Sequence, residues 1–244
     1  MRRALATVVL AGTVLAAACA GGSDDRDGTA GAPPEGCAVV DVATSPEKFE
    51  LLTRLANRFN DSDEARADGG CAFVRVQRKS SGGAAAVLAD GWPDEEAEGP
   101  RPVIWSPAAT SWGGVLNQRL ATRGQPPMAP ADARPFMLIP LVIAMPRPMA
   151  EALGYPATPI GFADLIELAQ DPRGWAARGH PEWGPFRLGK TNPNFSTSAL
   201  SATVAQHYAA TGKVRDLTLE DVEHPRVDAF NRAVESSVVH YGDI

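Results

Sequence analysis

From residue 37 onward, short apolar runs of strand length alternate with stretches in which apolar residues recur every three or four positions. Ala38-Val39-Val40-Asp41-Val42-Ala43 predicts a buried strand, and Phe49, Leu52, Ala56 and Phe59 then mark one face of a helix. Thr44 or Ser45 is placed to cap that helix, Pro46 suits its first turn, and Glu47 stands at capping-box spacing from Thr44. Ala72 to Val76 predicts a second strand, followed by the turn Lys79-Ser80-Ser81-Gly82-Gly83 and a short helix through Leu88. Pro102 to Trp105 predicts a third strand, with a helix over Ser111 to Ala121. Phe136 to Met145 is strongly apolar and predicts a fourth strand, bent at Pro140. Further helices are predicted at 148–153, 161–170, 197–211 and 226–238, with a strand at Phe186 to Gly189. After the last helix, His240-Tyr241-Gly242-Asp243-Ile244 reads as the run-up to another strand.

This alternation implies an α/β fold, a mostly parallel sheet with helices on both faces. In such sheets ligands bind outside the carboxyl ends of the strands. Small hydroxyl residues cluster at those ends: Thr44 and Ser45, Ser80 and Ser81, Ser106, and the segment Thr191 to Ser198. A helix N-terminus offers unpaired N–H groups and partial positive charge, and a hydroxyl beside it adds a donor. Any one of these residues could serve only as a cap; four clusters on one edge point to a ligand cleft.

The first 36 residues follow a different rule. Arg2 and Arg3 precede an apolar run from Ala4 to Ala18, which has the length of a signal-peptide core and is too short to span a bilayer. It ends Leu15-Ala16-Ala17-Ala18-Cys19, small residues leading into a thiol. This resembles the bacterial lipobox, with Ala16 where leucine is commoner, and implies a signal peptide at 1–18 and lipidation of Cys19. Ordinary secretion with cleavage after an Ala-x-Ala is the alternative. Residues 19–36 hold no large apolar side chain and read as a flexible linker. The expected location is the extracellular face of the cell membrane, lipid-anchored.

Charge and cysteine count narrow the chemistry. The chain carries −6 at neutral pH, and losing residues 1–18 removes two arginines, giving −8. An acidic body with the run Asp94-Glu95-Glu96-Ala97-Glu98, expected as a solvated loop, argues against nucleic acid and against polybasic membrane docking. With Cys19 assigned to lipid, Cys37 and Cys71 remain, and an even pair in an exported protein predicts a disulfide. Closing a loop of about 35 residues is worth roughly 3–4 kcal/mol in the chain-entropy model. His180, His207, His224 and His240 are scattered without HxH or HExxH spacing, so no metal site and no cofactor is expected. No GxSxG elbow, Walker loop or dinucleotide fingerprint occurs, which argues against an enzyme. Of the five tryptophans, two stand at strand edges where they could stack on a sugar ring. Trp175 and Trp183 lie in a Gly/Pro/Arg loop and are expected to cover an edge.

The ordered set Val40-Asp41-Val42-Ala43-Thr44-Ser45-Pro46-Glu47-Lys48, Lys79-Ser80-Ser81-Gly82-Gly83, Trp105-Ser106-Pro107 and Gly189-Lys190-Thr191-Asn192-Pro193 resembles the first lobe of type 2 extracellular solute-binding proteins. More narrowly it is similar to actinobacterial lipoproteins that join such a module to a von Willebrand factor A domain; the DxSxS metal motif of that domain is absent here. The resemblance covers Cys37 to Ile244. It implies a periplasmic-binding-protein-like lobe over 37–244, truncated within or before a second lobe. It also implies ligand contacts from Thr44, Ser45, Ser80, Ser81, Ser106, Asn192, Ser196, Thr197 and Ser198. Their role would be hydrogen bonding to a small oxygen-rich solute, an oxyanion or a sugar, with Arg78, Lys79 and Lys190 near enough in sequence to balance an anion. The expected partners are that solute and a membrane permease of the ABC transporter type. A surface scaffold acting with a von Willebrand factor A domain protein is the alternative.

Overall fold

The computed structural model describes residues 32–242. The expected signal peptide at 1–18, Cys19 and the expected linker up to residue 31 lie outside the described residues. In chain order the elements are β1 (Ala38–Thr44), α1 (Pro46–Asn60), β2 (Ala72–Arg78), α2 (Ser81–Ala89), α3 (Glu95–Glu98), β3 (Ile104–Ser106) and α4 (Ser111–Ala121). There follow α5 (Arg147–Ala152), α6 (Phe162–Gln170), β4 (Leu188–Thr191), α7 (Thr197–Thr211), α8 (Leu219–Glu223), α9 (Pro225–Ser236) and β5 (Val238–Gly242).

β1 lies between β2 and β3, parallel to both, with Val42 opposite Val76 and Ile104. Side chains alternate across a sheet, so the two faces carry different partners. Val40, Val42, Val74 and Val76 meet Phe49, Leu52 and Ala56 of α1 on one face. Trp105, one residue out of phase with Ile104, packs instead with α2 and α4 around Leu88, Trp112 and Leu116. Helices therefore cover both faces, as the alternating pattern requires. Asn60 pins the end of α1 to β2, its amide accepting from Val74 N (2.8 Å) and donating to Val74 O (2.9 Å). Asp41 and Arg75, directly opposite in register, form an ion pair at 2.6 Å. The Cys37–Cys71 disulfide joins the starts of β1 and β2.

A second, two-stranded parallel sheet pairs β4 with β5, and α6, α7 and α9 pack against one another beside it. Inside this half the Lys190 ammonium reaches Glu235 and Thr203, and the Tyr241 hydroxyl donates to Glu235. That bond to a carboxylate pushes the Tyr241 phenol up to about 12.

Three expectations are corrected. Phe136 to Met145 forms no strand: the chain bends at Phe136–Met137 and joins no ladder, and Phe136, Leu138, Ile139, Leu141 and Val142 are exposed. Pro135, Pro140 and Pro146 withhold three donors from any ladder, and Leu141–Ala144 face Leu188–Lys190 across a cavity of about 230 Å³ instead of pairing with them. The run at 94–98 is a short helix, not a loop: Asp94 caps it through Ala97 N, and Glu98 binds Lys79 at 2.7 Å. The capping box predicted for α1 is absent. Ser45 is the N-cap without a side-chain cap bond, and its hydroxyl donates to Glu47 at 2.8 Å. His207 sits inside α7 with both ring nitrogens engaged, by the Thr203 carbonyl and Asn231.

Candidate functional site

α1, α2 and α7 begin close together, because the loop before α7 docks directly on the start of α2. Gly82 N donates to Phe195 O (3.1 Å). A Cβ at Gly82 would lie 2.0 Å from the Asn194 carbonyl oxygen, so only glycine permits this approach. A chain of side chains fixes the contact further. Trp112 Nε1, on the buried face of α4, donates to Thr197 Oγ1 (2.8 Å), and Thr197 Oγ1 donates to Ser81 Oγ (3.4 Å). Ser81 Oγ also accepts from Ala108 N at 3.0 Å.

These contacts frame a cavity of about 290 Å³, walled by the starts of the three helices, the turn Ala108–Ala109 and the strap Ile139–Leu141. Four of the nominated residues line it: Ser81, Ser196, Thr197 and Ser198. Both oxygen lone pairs of Ser81 are engaged, so its remaining capacity is one O–H donor. Thr191, Ser196 and Ser198 form a triangle of hydroxyls with edges of 2.7, 3.0 and 3.0 Å. Three protons serve three edges, and redirecting any one presents a donor. Ser196 is the N-cap of α7 without a side-chain cap bond, which leaves the N–H groups of that first turn uncapped by it. Glu47 is the ionisable residue on the lining.

The other nominated residues lie elsewhere. Thr44 is buried with its hydroxyl 3.5 Å from the Ser106 carbonyl, and Ser45 is buried and bonded to Glu47. Ser80 caps α2 by accepting from Gly83 N at 3.2 Å. Asn192 accepts from Asn194 N and holds the loop before α7. Ser106 lines a second, larger cavity on the far side of Ala108 and Ala109, where it accepts from Lys48 Nζ at 2.7 Å. Burial holds the Lys48 ammonium below the ordinary lysine value, with the attraction of Glu47 opposing the shift. Sequence reasoning missed Lys48, because a lysine in the first turn of an amphipathic helix reads as a solvent-facing residue. Trp92, Trp112 and Trp175 are buried, and Trp175 packs edge-on to Trp183 at 5.3 Å, as an edge cover would. Among the described residues no group of three His, Cys, Asp or Glu stands close enough to hold a metal.

A family model for bacterial extracellular solute-binding proteins matches residues 40–243. The chain belongs to that family. No curated protein and no solved structure matches it. The match spans both sheets, so β4, α7 and β5 are part of the family's own fold along with β1 to β3. As a member of the solute-binding family, the chain has recognition of a small molecule as its role.

Proposed function

We propose that this chain is a lipid-anchored lipoprotein, held through Cys19, that recognises a small oxygen-rich solute non-catalytically and passes it to a membrane permease. The solute sits in the cavity between the starts of α1, α2 and α7. The observation that carries this is the state of Ser81. Its oxygen has no lone pair left, so toward a ligand it acts as a donor and selects an acceptor oxygen. The partial positive ends of three helices favour an oxyanion over a neutral sugar, and because Glu47 is the one carboxylate on the lining, the oxyanion carries a proton that it donates to Glu47. Ser196 and Ser198 supply further hydroxyl donors, and the volume of about 290 Å³ suits a solute at the small end of the range for ligand sites.

The test is thermal unfolding screened against oxyanions, sugars, amino acids and wall fragments. An oxyanion at about a hundredfold its dissociation constant stabilises by about 2.7 kcal/mol, several degrees in melting temperature. Ser81→Ala removes that response. A screen in which only sugars or amino acids stabilise, or a response retained in Ser81→Ala, rejects this assignment.

A further inference from the structure

The larger cavity, about 680 Å³, lies between β3, α1, α4 and the segment Met128–Met137. Its walls are mostly apolar, including Leu52, Leu88, Leu116, Met128, Phe136 and Met137. The ionisable residues on its lining are Lys48 and Arg134, both cationic, in a chain that is acidic as a whole. Lys48 is 3% exposed, which is unusual for a lysine without a carboxylate partner. Its Nζ donates to Ser106 Oγ and to the Pro107 carbonyl, each at 2.7 Å, and stands 5.1 Å from the centre of the Phe136 ring. An ammonium has three donors, so one remains, and among the described residues no acid forms an ion pair with it. Arg134 is exposed and belongs to the rim.

We infer that this cavity is a second binding site, taking a small apolar carboxylate whose head meets Lys48 and whose tail lies along the apolar walls. A buried cation with one free donor, whose nearest acid, Glu47, attracts it without forming an ion pair, is complementary to a singly charged acceptor. The volume lies within the range of small-molecule sites, and the walls offer the tail the contact that water does not. A doubly charged head would leave its second charge against leucine and methionine, which argues for a carboxylate over a phosphate. The site is separate from the oxyanion cavity, sharing with it only the Ala108–Ala109 turn.

Isothermal calorimetry on the full chain with hexanoate, 1-hexanol and hexylamine tests this. Hexanoate binds, 1-hexanol binds about ten- to a hundredfold more weakly, and hexylamine weaker still. Lys48→Gln, which keeps donors toward Ser106 and Pro107 but no charge, weakens hexanoate by about ten- to a hundredfold and leaves 1-hexanol unchanged. Arg134→Gln, at an exposed position where folding is not at stake, weakens hexanoate by about two- to fivefold. Equal binding of hexanoate and 1-hexanol overturns the inference, as does full hexanoate affinity in Lys48→Gln or no hexanoate binding at all. The oxyanion response in the smaller cavity persists in both variants, so failure of one site is distinguishable from failure of the other.

Discussion

At the scale of single residues, the start of α7 is held by two contacts that tolerate no change in size or polarity. Gly82 faces the Asn194 backbone, where an added methyl would overlap a carbonyl oxygen that cannot swing aside like a side-chain tip. Gly82→Ala is therefore expected to lower stability by about 1–3 kcal/mol, in the range of overpacked cores. It also displaces the Asn192–Phe195 loop, so the melting temperature falls and the response to oxyanion weakens together. Thr197→Val keeps the volume but removes the acceptor for Trp112 Nε1, whose side chain is fully buried. Leaving that donor unpaired costs about 1–3 kcal/mol, measurable as a lower denaturant midpoint at unchanged slope. Ser81→Ala likewise strands the Ala108 amide and the Thr197 hydroxyl, so its effect on ligand binding is read well below the melting temperature of the variant.

At the scale of elements, local periodicity carried most of what could be read from the chain. α4, α6 and α7 stand within a residue or two of their expected limits, and α1 and α6 write a clear buried stripe into their own sequences. A strand is different, since its identity depends on a partner. Phe136–Met145 has the apolar run of a strand, yet with Pro140 inside it and a cavity between it and Leu188–Lys190 it stays unpaired. β5 has the opposite history: the chain reads as helix to 238 with only the run-up to a strand at 240–244, and pairing with β4 sets the strand at Val238–Gly242. The candidate site shows the same division. Hydroxyls at strand ends were visible, but which of them face a cavity follows from the docking of α7 on α2, a contact 112 or more residues apart in sequence that no local pattern encodes. The short helix α8 gives a pH-dependent case. Asp221 accepts from Lys213, from the Thr218 amide and from the Thr218 hydroxyl, and these bonds, Lys213 first, hold its carboxyl down at about 2. A folded value below the unfolded one, about 3.9, means the latch is complete above pH 4 and is lost as pH falls through 2. An NMR titration should place the Asp221 midpoint near that value, and Asp221→Asn should raise amide exchange at Thr218 already at neutral pH.

At the scale of the whole molecule, β1 and β2 are joined covalently just before either strand begins. The Cys37–Cys71 bridge closes a loop of 34 positions that contains all of β1 and α1. Its contribution comes mainly from restricting the unfolded chain, and the chain-entropy model gives about 3–4 kcal/mol for a loop of this length. The native partners of the bridged segment remain when it is cut: the β1–β2 register, the Asp41–Arg75 pair and the Asn60 clamp on Val74 are all formed by other atoms. A Cys37→Ser, Cys71→Ser double variant is therefore expected to fold to the same sheet and to lose about 3–4 kcal/mol on chemical denaturation. The cavity proposed to hold the solute lies at the opposite, carboxyl end of β1, so ligand affinity measured well below the melting temperature should be unchanged. A loss of affinity in step with stability would mean that the bridge shapes the native cleft, and not only the unfolded ensemble.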